Sequence, residues 1–262
     1  MKLTPENYYS PEANRYYMSV SQFKDFLQCE AAALAKLNGW DDEKKDAYVF
    51  GSYVHAAIEG TLDQFKIDNP DIFKKDGDLK AEYKIADKMV KAIMEDELCR
   101  KMLEGEKEVI VTTDLFGIPW KAKLDVVFVE EGRLTDVKTC RSIRERIWID
   151  EERRYGSFVE AYKYPLQLAV YAEIERLHNK RFEALEPFIV AVSKEDEPDK
   201  EVICFDESTL ANELMKVQQK LPRIVAVKEG IEEPTRCGSC RYCRQTKKAG
   251  IVHYLDLLEV SQ

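Results

Sequence analysis

In the stretch LDVVFVEEGRLTDVKT, residues 124–139, two aspartates stand inside runs of valine, leucine and phenylalanine. An unpaired charge inside a sheet is costly, so Asp125 and Asp136 need a physical reason to be there. The tight connection Glu130-Glu131-Gly132 makes the two runs hairpin neighbours. Positions equidistant from the turn face each other, which sets Asp125 opposite or nearly opposite Asp136. Lys138, two residues on, points to the same face. Like charges across a strand pair repel. A hard cation such as Mg²⁺ would compensate them, because it favours carboxylate oxygen. The lysine would offset the remaining charge and orient or help deprotonate a water. That equipment suits metal-assisted phosphodiester hydrolysis. The alternative is an exposed hairpin face carrying a surface Asp–Lys pair.

Two other stretches could join this chemistry. In GSYVHAAIEG (51–60), His55 sits on a helix among Val54, Ala56, Ala57 and Ile58, where it is either a ligand or a satisfied core residue. In KYPLQLAVYAEI (163–174), Gln167 and Tyr171 share a helix face at i, i+4, with Tyr164 one turn earlier. Packing alone could explain the stripe, but a glutamine among Leu, Ala and Val needs a hydrogen-bond partner.

The cysteines form a second centre. CGSCRYC places Cys237, Cys240 and Cys243 in a C-x₂-C-x₂-C run, which lacks one ligand for a closed Zn²⁺ site or a cubane iron–sulfur cluster. Cys29, in SQFKDFLQC, is the candidate for the fourth; reduced free thiols are the remaining alternative. Either metal would staple the N-terminal helix to the C-terminal segment. Cys99, Cys140 and Cys204 read as small core residues in a helix and two strands.

These residues need positioning elements. An S-x-x-Q capping box at Ser19 and Gln22 opens a helix that should run to about Gly39. DDEKKD (41–46) reads as a solvated loop, followed by a second helix from Ala47 through FGSYVHAAIEGTLDQF. A polar linker near 69–78 precedes a third helix over roughly 80–103. The period then changes from 3.6 to 2. EVIVTTDLF (108–116), a Gly-Ile-Pro turn, 120–129 and 133–140 read as three antiparallel strands. The charged segment 141–154 leads into a helix over 157–178; FIVAVS (188–193) and EVICFD (201–206) add strands. A last helix covers 207–229, with Pro222 inside it. The order of elements predicts an α/β or α+β fold in one domain.

G-x-x-x-H, then Asp on a strand, D-x-K on the next strand and Q-x-x-x-Y on a helix together resemble the RecB-type branch of the PD-(D/E)xK nuclease superfamily, from residue 19 to 171 and onward toward the C-terminus. The resemblance implies a restriction-endonuclease-like core with a central mixed sheet flanked by helices, a helical N-terminal part (19–103), a catalytic sheet (104–206) and a cysteine-rich C-terminal segment (207–262). It implies that His55, Asp125 and Asp136 hold Mg²⁺ or Mn²⁺, that Lys138 is the catalytic lysine, and that Gln167 and Tyr171 position it or contact DNA. Ala122, with Lys121 and Lys123 around it, departs from a glycine common in relatives, and Asp136 stands where many carry Glu.

One cysteine before the core and three after it also resemble the CRISPR-associated four-cysteine nucleases and the AddB nuclease domain, which carry a [4Fe–4S] cluster. The last spacing here is shorter, and Glu30 replaces a proline that often follows the first cysteine. Cys29, Cys237, Cys240 and Cys243 would then hold an iron–sulfur cluster, with Zn²⁺ as the alternative. The whole looks most like phage or prophage exonucleases that act on linear duplex ends beside a strand-annealing recombinase. A CRISPR-type or repair nuclease of single strands or flaps, and a non-catalytic metal-stapled DNA-binding protein, remain alternatives. Arg141, Arg144, Arg146 and Tyr164 are candidate DNA contacts, with Arg153 and Arg154 nearby, since backbone neutralisation supplies most non-specific affinity.

Bulk properties exclude little else. At 45% apolar and 34% charged residues, the composition fits a globular protein rather than a disordered one. A net charge of −9 does not exclude a local basic channel. No apolar run approaches a membrane span, and MKLTPENYYSPEANRYY lacks the apolar stretch of a signal peptide, so a cytoplasmic location is expected. In a reducing compartment clustered cysteines favour metal over disulfides. With no G-x-x-x-x-G-K-[ST] loop, an ATP motor is not expected. An oligomer remains open.

Overall fold

A computed structural model describes residues 1–41 and 45–255. The loop expected over 41–46 falls partly on Asp42, Glu43 and Lys44, outside the described residues; Lys45 and Asp46 are already helical.

Five strands form a mixed sheet in the order β1-β2-β3-β6-β7: β1 Glu106–Leu115, β2 Ile118–Phe128, β3 Arg133–Cys140, β6 Glu186–Ser193 and β7 Lys200–Ile203. Only β3 and β6 are parallel. Their crossover carries a short ribbon, β4 Ile147–Ile149 with β5 Arg154–Gly156, and two helices, α8 Phe158–Ala161 and α9 Tyr164–His178. Hence the predicted helix over 157–178 is two pieces. Lys163, at φ 54°, breaks it where an L-residue is strained. The β1–β2 turn is Phe116-Gly117, both at positive φ as a two-residue hairpin turn requires, so Ile118 and Pro119 belong to β2 rather than to a turn.

Helices cover both faces. On one side Phe23 and Phe26 of α2 (Val20–Gln28), Leu166 and Val170 of α9, and Val217 and Leu221 of α10 (Glu207–Lys228) pack with Trp120, Leu124, Leu134 and Ile189. On the other, Tyr53 and Val54 of α4 (Lys45–Glu59), and Met89 and Ile93 of α6 (Ala81–Glu95), pack on Val126, Val137, Val190 and Val192. α1 (Pro11–Tyr16) precedes these, and α5 (Leu62–Asp68), α7 (Glu97–Met102) and α11 (Arg241–Gln245) complete the set.

Three predicted helices are shorter than expected, each for a local reason. Ser19 caps α2 by accepting from Gln22 N–H, but the Gln22 side chain donates to Asn14 O, so the reciprocal half of the capping box is missing. α2 stops at Cys29, which is extended at φ −164°, and α3 (Glu30–Leu37) starts in a new direction, its Ala31 N–H donating to Thr235 O. Gly60, at φ +79°, ends α4, and Asp96 ends α6 while capping α7 through Cys99 N–H. Cys204 was expected in a strand core, yet β7 ends at Ile203 and Cys204 is exposed; Cys99 and Cys140 are buried.

Inside β2 the alternation slips. Trp120, Ala122 and Leu124 belong to the first core and Val126 to the second, but Val127 returns to the first. The slip falls at Asp125, and Glu108 is the residue skipped in the facing β1 ladder, at φ 54°. No residue is added to either strand there, since the register is the same on both sides of the gap. It sits beside the carboxylates singled out above.

Gly105, joining α7 to β1 at φ +126°, has no room for a side chain: a Cβ would lie 2.4 Å from Val127 O. Gly117, at φ +84°, faces open space. Gly117→Ala should therefore cost only the left-handed penalty of about 1–2 kcal/mol. Gly105→Ala should cost roughly 3 kcal/mol or more, by adding a backbone clash. Urea unfolding of both variants checks the order.

Candidate active site

The β2–β3 register pairs Val126 with Thr135, Val127 with Leu134 and Phe128 with Arg133. Its next step sets Asp125 against Asp136. There the ladder gives way: Asp125 Oδ2 accepts from Val137 N–H at 2.7 Å, so a carboxylate takes the place of a backbone acceptor. The same oxygen lies 3.6 Å from His55 Nδ1, which α4 brings over the sheet.

Asp136 is 3% exposed and in contact with two donors. Gln167 Nε2, on α9, donates to Oδ1 at 2.9 Å. Lys138 Nζ is 2.6 Å from Oδ2 as an ion contact, yet Oδ2 has no hydrogen bond of good direction. The glutamine that the apolar stripe left unexplained thus has its partner, and that partner is the second aspartate.

Electrostatics follow from the burial. Desolvation pushes the Asp125 carboxyl above its usual range, and the Asp136 charge adds to it; His55 and Lys138 pull the other way. Burial would lower the Lys138 ammonium, but the Asp136 and Asp125 charges more than offset this and hold it protonated, above a normal lysine. So held, Lys138 is an ammonium donor beside the two carboxylates.

One participant gave no sequence signal. Lys24, on α2, sends Nζ to Gln167 Oε1 at 2.9 Å and to Tyr162 O at 2.9 Å. This fixes the Gln167 amide with its oxygen toward Lys24 and its NH₂ toward Asp136. Both lysines reach Tyr164, each ammonium 5.1 Å from its ring centroid. Burial pushes the Tyr164 hydroxyl up to about 12. Burial, with Lys138 nearby, lowers Lys24 to about 7. On the β1 side Glu59 faces Glu108; burial and the shared charge raise Glu59 to about 7, with Lys123 paired to Glu108. Glu59 is one helical turn past His55, a spacing that could have been read from sequence.

The other candidates sit differently. Tyr171 packs on the first core, near enough to feel the Asp136 charge, and burial raises its hydroxyl well above the normal value; it has no hydrogen bond to Lys138 among the described residues. Arg141 is exposed and 3.4 Å from Glu145, Arg144 pairs with Glu201, and the Arg146 guanidinium lies 5.0 Å from the Tyr155 ring centroid. Arg154 is held by Glu152 and Glu160. Acidic partners therefore occupy Arg141, Arg144 and Arg154.

His55, Asp125 and Asp136 offer one imidazole nitrogen and carboxylate oxygens, a set that fits a hard divalent cation in kind. The under-coordinated Asp136 Oδ2 fits as well. Among the described residues, however, one group brings at least three ligand atoms into mutual metal-binding distance, and it is the cysteine quartet: the Sγ atoms of Cys29, Cys237, Cys240 and Cys243 all lie within 4.8 Å of one another. Burial tends to raise Cys237, but N–H donors from Cys240 and Ser239 draw it down to about 6.

Comparison with known proteins gives the same frame. Residues 19–246 match the family model described as "PDDEXK-like domain of unknown function (DUF3799)". A crystal structure from Eubacterium rectale, named "Putative exonuclease", is 42% identical, covers 98% of both chains and superposes with a TM-score of 0.92. A structure of SSO0001 is 15% identical over 84% of this chain and 93% of its own, with a TM-score of 0.30, too slight a likeness to bear on the fold. No curated protein matches the chain. No helix among the described residues is long and apolar enough to cross a membrane.

Lys24 yields a pH test. Its folded value near 7 lies below the ordinary 10.5, so the unfolded chain binds more protons between those limits and stability rises with pH across that window. Lys24→Met should remove part of the rise. Urea midpoints at pH 7 and pH 9 in metal-free buffer should move less in the variant than in the wild type.

Proposed function

We propose that this chain, which belongs to the PDDEXK-like family, is a divalent-metal-dependent deoxyribonuclease that degrades linear duplex DNA from its ends. One observation carries the reading: a buried aspartate, Asp136, is braced by Gln167 and touches Lys138, directly beside the His55–Asp125 contact. The 42% identical structure named "Putative exonuclease" supports hydrolysis from ends. The family match spans the sheet, its helices and the cysteines, which supports taking the chain as one nuclease domain.

His55, Asp125 and Asp136 would hold Mg²⁺ or Mn²⁺, which supplies positive charge at the scissile phosphate and makes a nucleophilic water accessible at neutral pH. The remaining work falls to the chain. Lys138, kept protonated by the two carboxylates, stabilises negative charge developing on the phosphate. Gln167 stops Asp136 rotating, and Lys24 stops Gln167 flipping, so both act as positioning residues. The Tyr164 ring lies against both ammonium groups. Tyr171 supports α9 from the core side. Arg146, whose guanidinium lies over Tyr155, is a candidate phosphate contact. A strand-annealing recombinase is the partner that the resemblance to phage enzymes suggests.

A second reading is a non-catalytic DNA-binding protein stapled by its cysteines. It is favoured by the convergence of the cysteine sulfurs, which the acidic residues do not match.

End-labelled linear duplex and closed circular DNA, each with Mn²⁺, separate the two. Loss of the linear substrate alone is expected. Asp136→Asn and Lys138→Ala should each slow it at least about 100-fold, the usual scale for a group acting on the transition state. Lys24→Met should lower kcat by about 10-fold with KM nearly unchanged, as loss of transition-state positioning does. Intact linear DNA with folded wild-type protein and either metal would sink the enzyme reading.

A further inference from the structure

We infer that Cys29, Cys237, Cys240 and Cys243 bind a single Zn²⁺ in a closed tetrahedral site, and that the four-iron cluster implied by resemblance does not fit them. Sulfur spacing separates the two. A zinc ion with four thiolates at about 2.3 Å brings the sulfurs to about 3.8 Å from one another. In a cubane each cysteine binds a different iron, and the core between them spreads the sulfurs to roughly 6 Å at a similar bond length. Here Cys29 Sγ is 3.6 Å from Cys243 Sγ, and Cys237 Sγ is 4.0 Å from Cys243 Sγ. The widest separation in the quartet is within 4.8 Å. One ion fits that space, and a cluster would have to force it open.

Surroundings support the same site. Cys240 N–H points at Cys237 Sγ at 3.3 Å, and Cys243 N–H at Cys240 Sγ at 3.4 Å. The Ser239 hydroxyl lies 3.7 Å from Cys237 Sγ. Such donors stabilise the negative charge that four thiolates keep around a divalent ion, and they hold each ligand's orientation.

Assembly of the quartet relies on Glu30, the residue standing where the resembled nucleases often carry a proline. Its carboxylate accepts from Arg223 Nε at 3.0 Å and Nη2 at 2.7 Å, and from Thr235 N–H at 2.7 Å. Arg223 lies on α10, and Thr235 on the segment entering the cysteine loop. Glu30 therefore ties the start of α3, next to Cys29, to the chain that carries the other three ligands. A proline at this position could do none of this. Arg236 closes the loop from the far side, donating to Cys243 O at 3.2 Å. Four soft sulfur ligands this close together suit one structural zinc ion, whose coordination they would fill.

The test uses the whole wild-type protein, purified without air from cells supplied with iron and zinc. Elemental analysis with acid-labile sulfide should give one zinc per chain, no sulfide and a colourless solution. Replacement by Co²⁺ should produce thiolate-to-cobalt charge-transfer and tetrahedral d–d bands. Glu30→Ala should weaken zinc retention against a chelator by about 10-fold, the low end of the effect of such supporting groups. Four irons with sulfide, one iron without sulfide, or a metal-free protein with free or disulfide-bonded thiols would each overturn the assignment. All three readouts are independent of nuclease activity, so they stand or fall apart from the function proposed above.

Discussion

Two carboxylates held within a sheet are the constraint around which the rest is arranged. Asp125 interrupts the β2–β3 ladder by taking Val137 N–H, and Asp136 lies 3% exposed on the neighbouring strand. Leaving either charge uncompensated would cost several kcal/mol even after relaxation. The fold meets this from three directions: Lys138 from the same strand, Gln167 from the crossover helix and His55 from the opposite layer.

Helix α2 joins this site to the second one. Its Lys24 reaches Gln167, and its C-terminal cap is Cys29, a member of the thiolate quartet. The bend at Cys29 turns the chain so that one side chain faces Cys243 while the preceding turns stay packed on Trp120. Stapling Cys29 to the C-terminal segment thus restrains the helix that orients the Gln167 amide. Fixing a long lysine side chain carries an entropic cost, which a rigid helix end reduces. The quartet and the acidic pair are separate sites with separate chemistry, but they share one short element.

Much of this was legible beforehand because it is local. Strand alternation and the Glu-Glu-Gly turn put Asp125, Asp136 and Lys138 on one patch, and the hairpin has that register. The i, i+4 rule placed Gln167 one turn from Tyr171 on a single helix. C-x₂-C-x₂-C spacing announced a sulfur site needing a fourth ligand. What escaped were contacts between residues far apart in sequence. Lys24 is 143 positions from Gln167, and Arg223 is 193 from Glu30. Helix boundaries failed where a tertiary contact overruled propensity, as at Cys29, or where one residue ended one helix and capped the next, as at Asp96.

Sequence alone thus determined the types of ligand, their spacing along each element and which residues share a face, since pleat and helical pitch follow from backbone geometry. Tertiary structure decided the distances on which the chemistry turns. It set which amide atom of Gln167 meets Asp136, which charge keeps Lys138 protonated, and how closely four sulfurs approach. Periodicity says which way a side chain points; only packing says what stands at the other end, because burial and the approach of remote segments have no signature in any single stretch of chain.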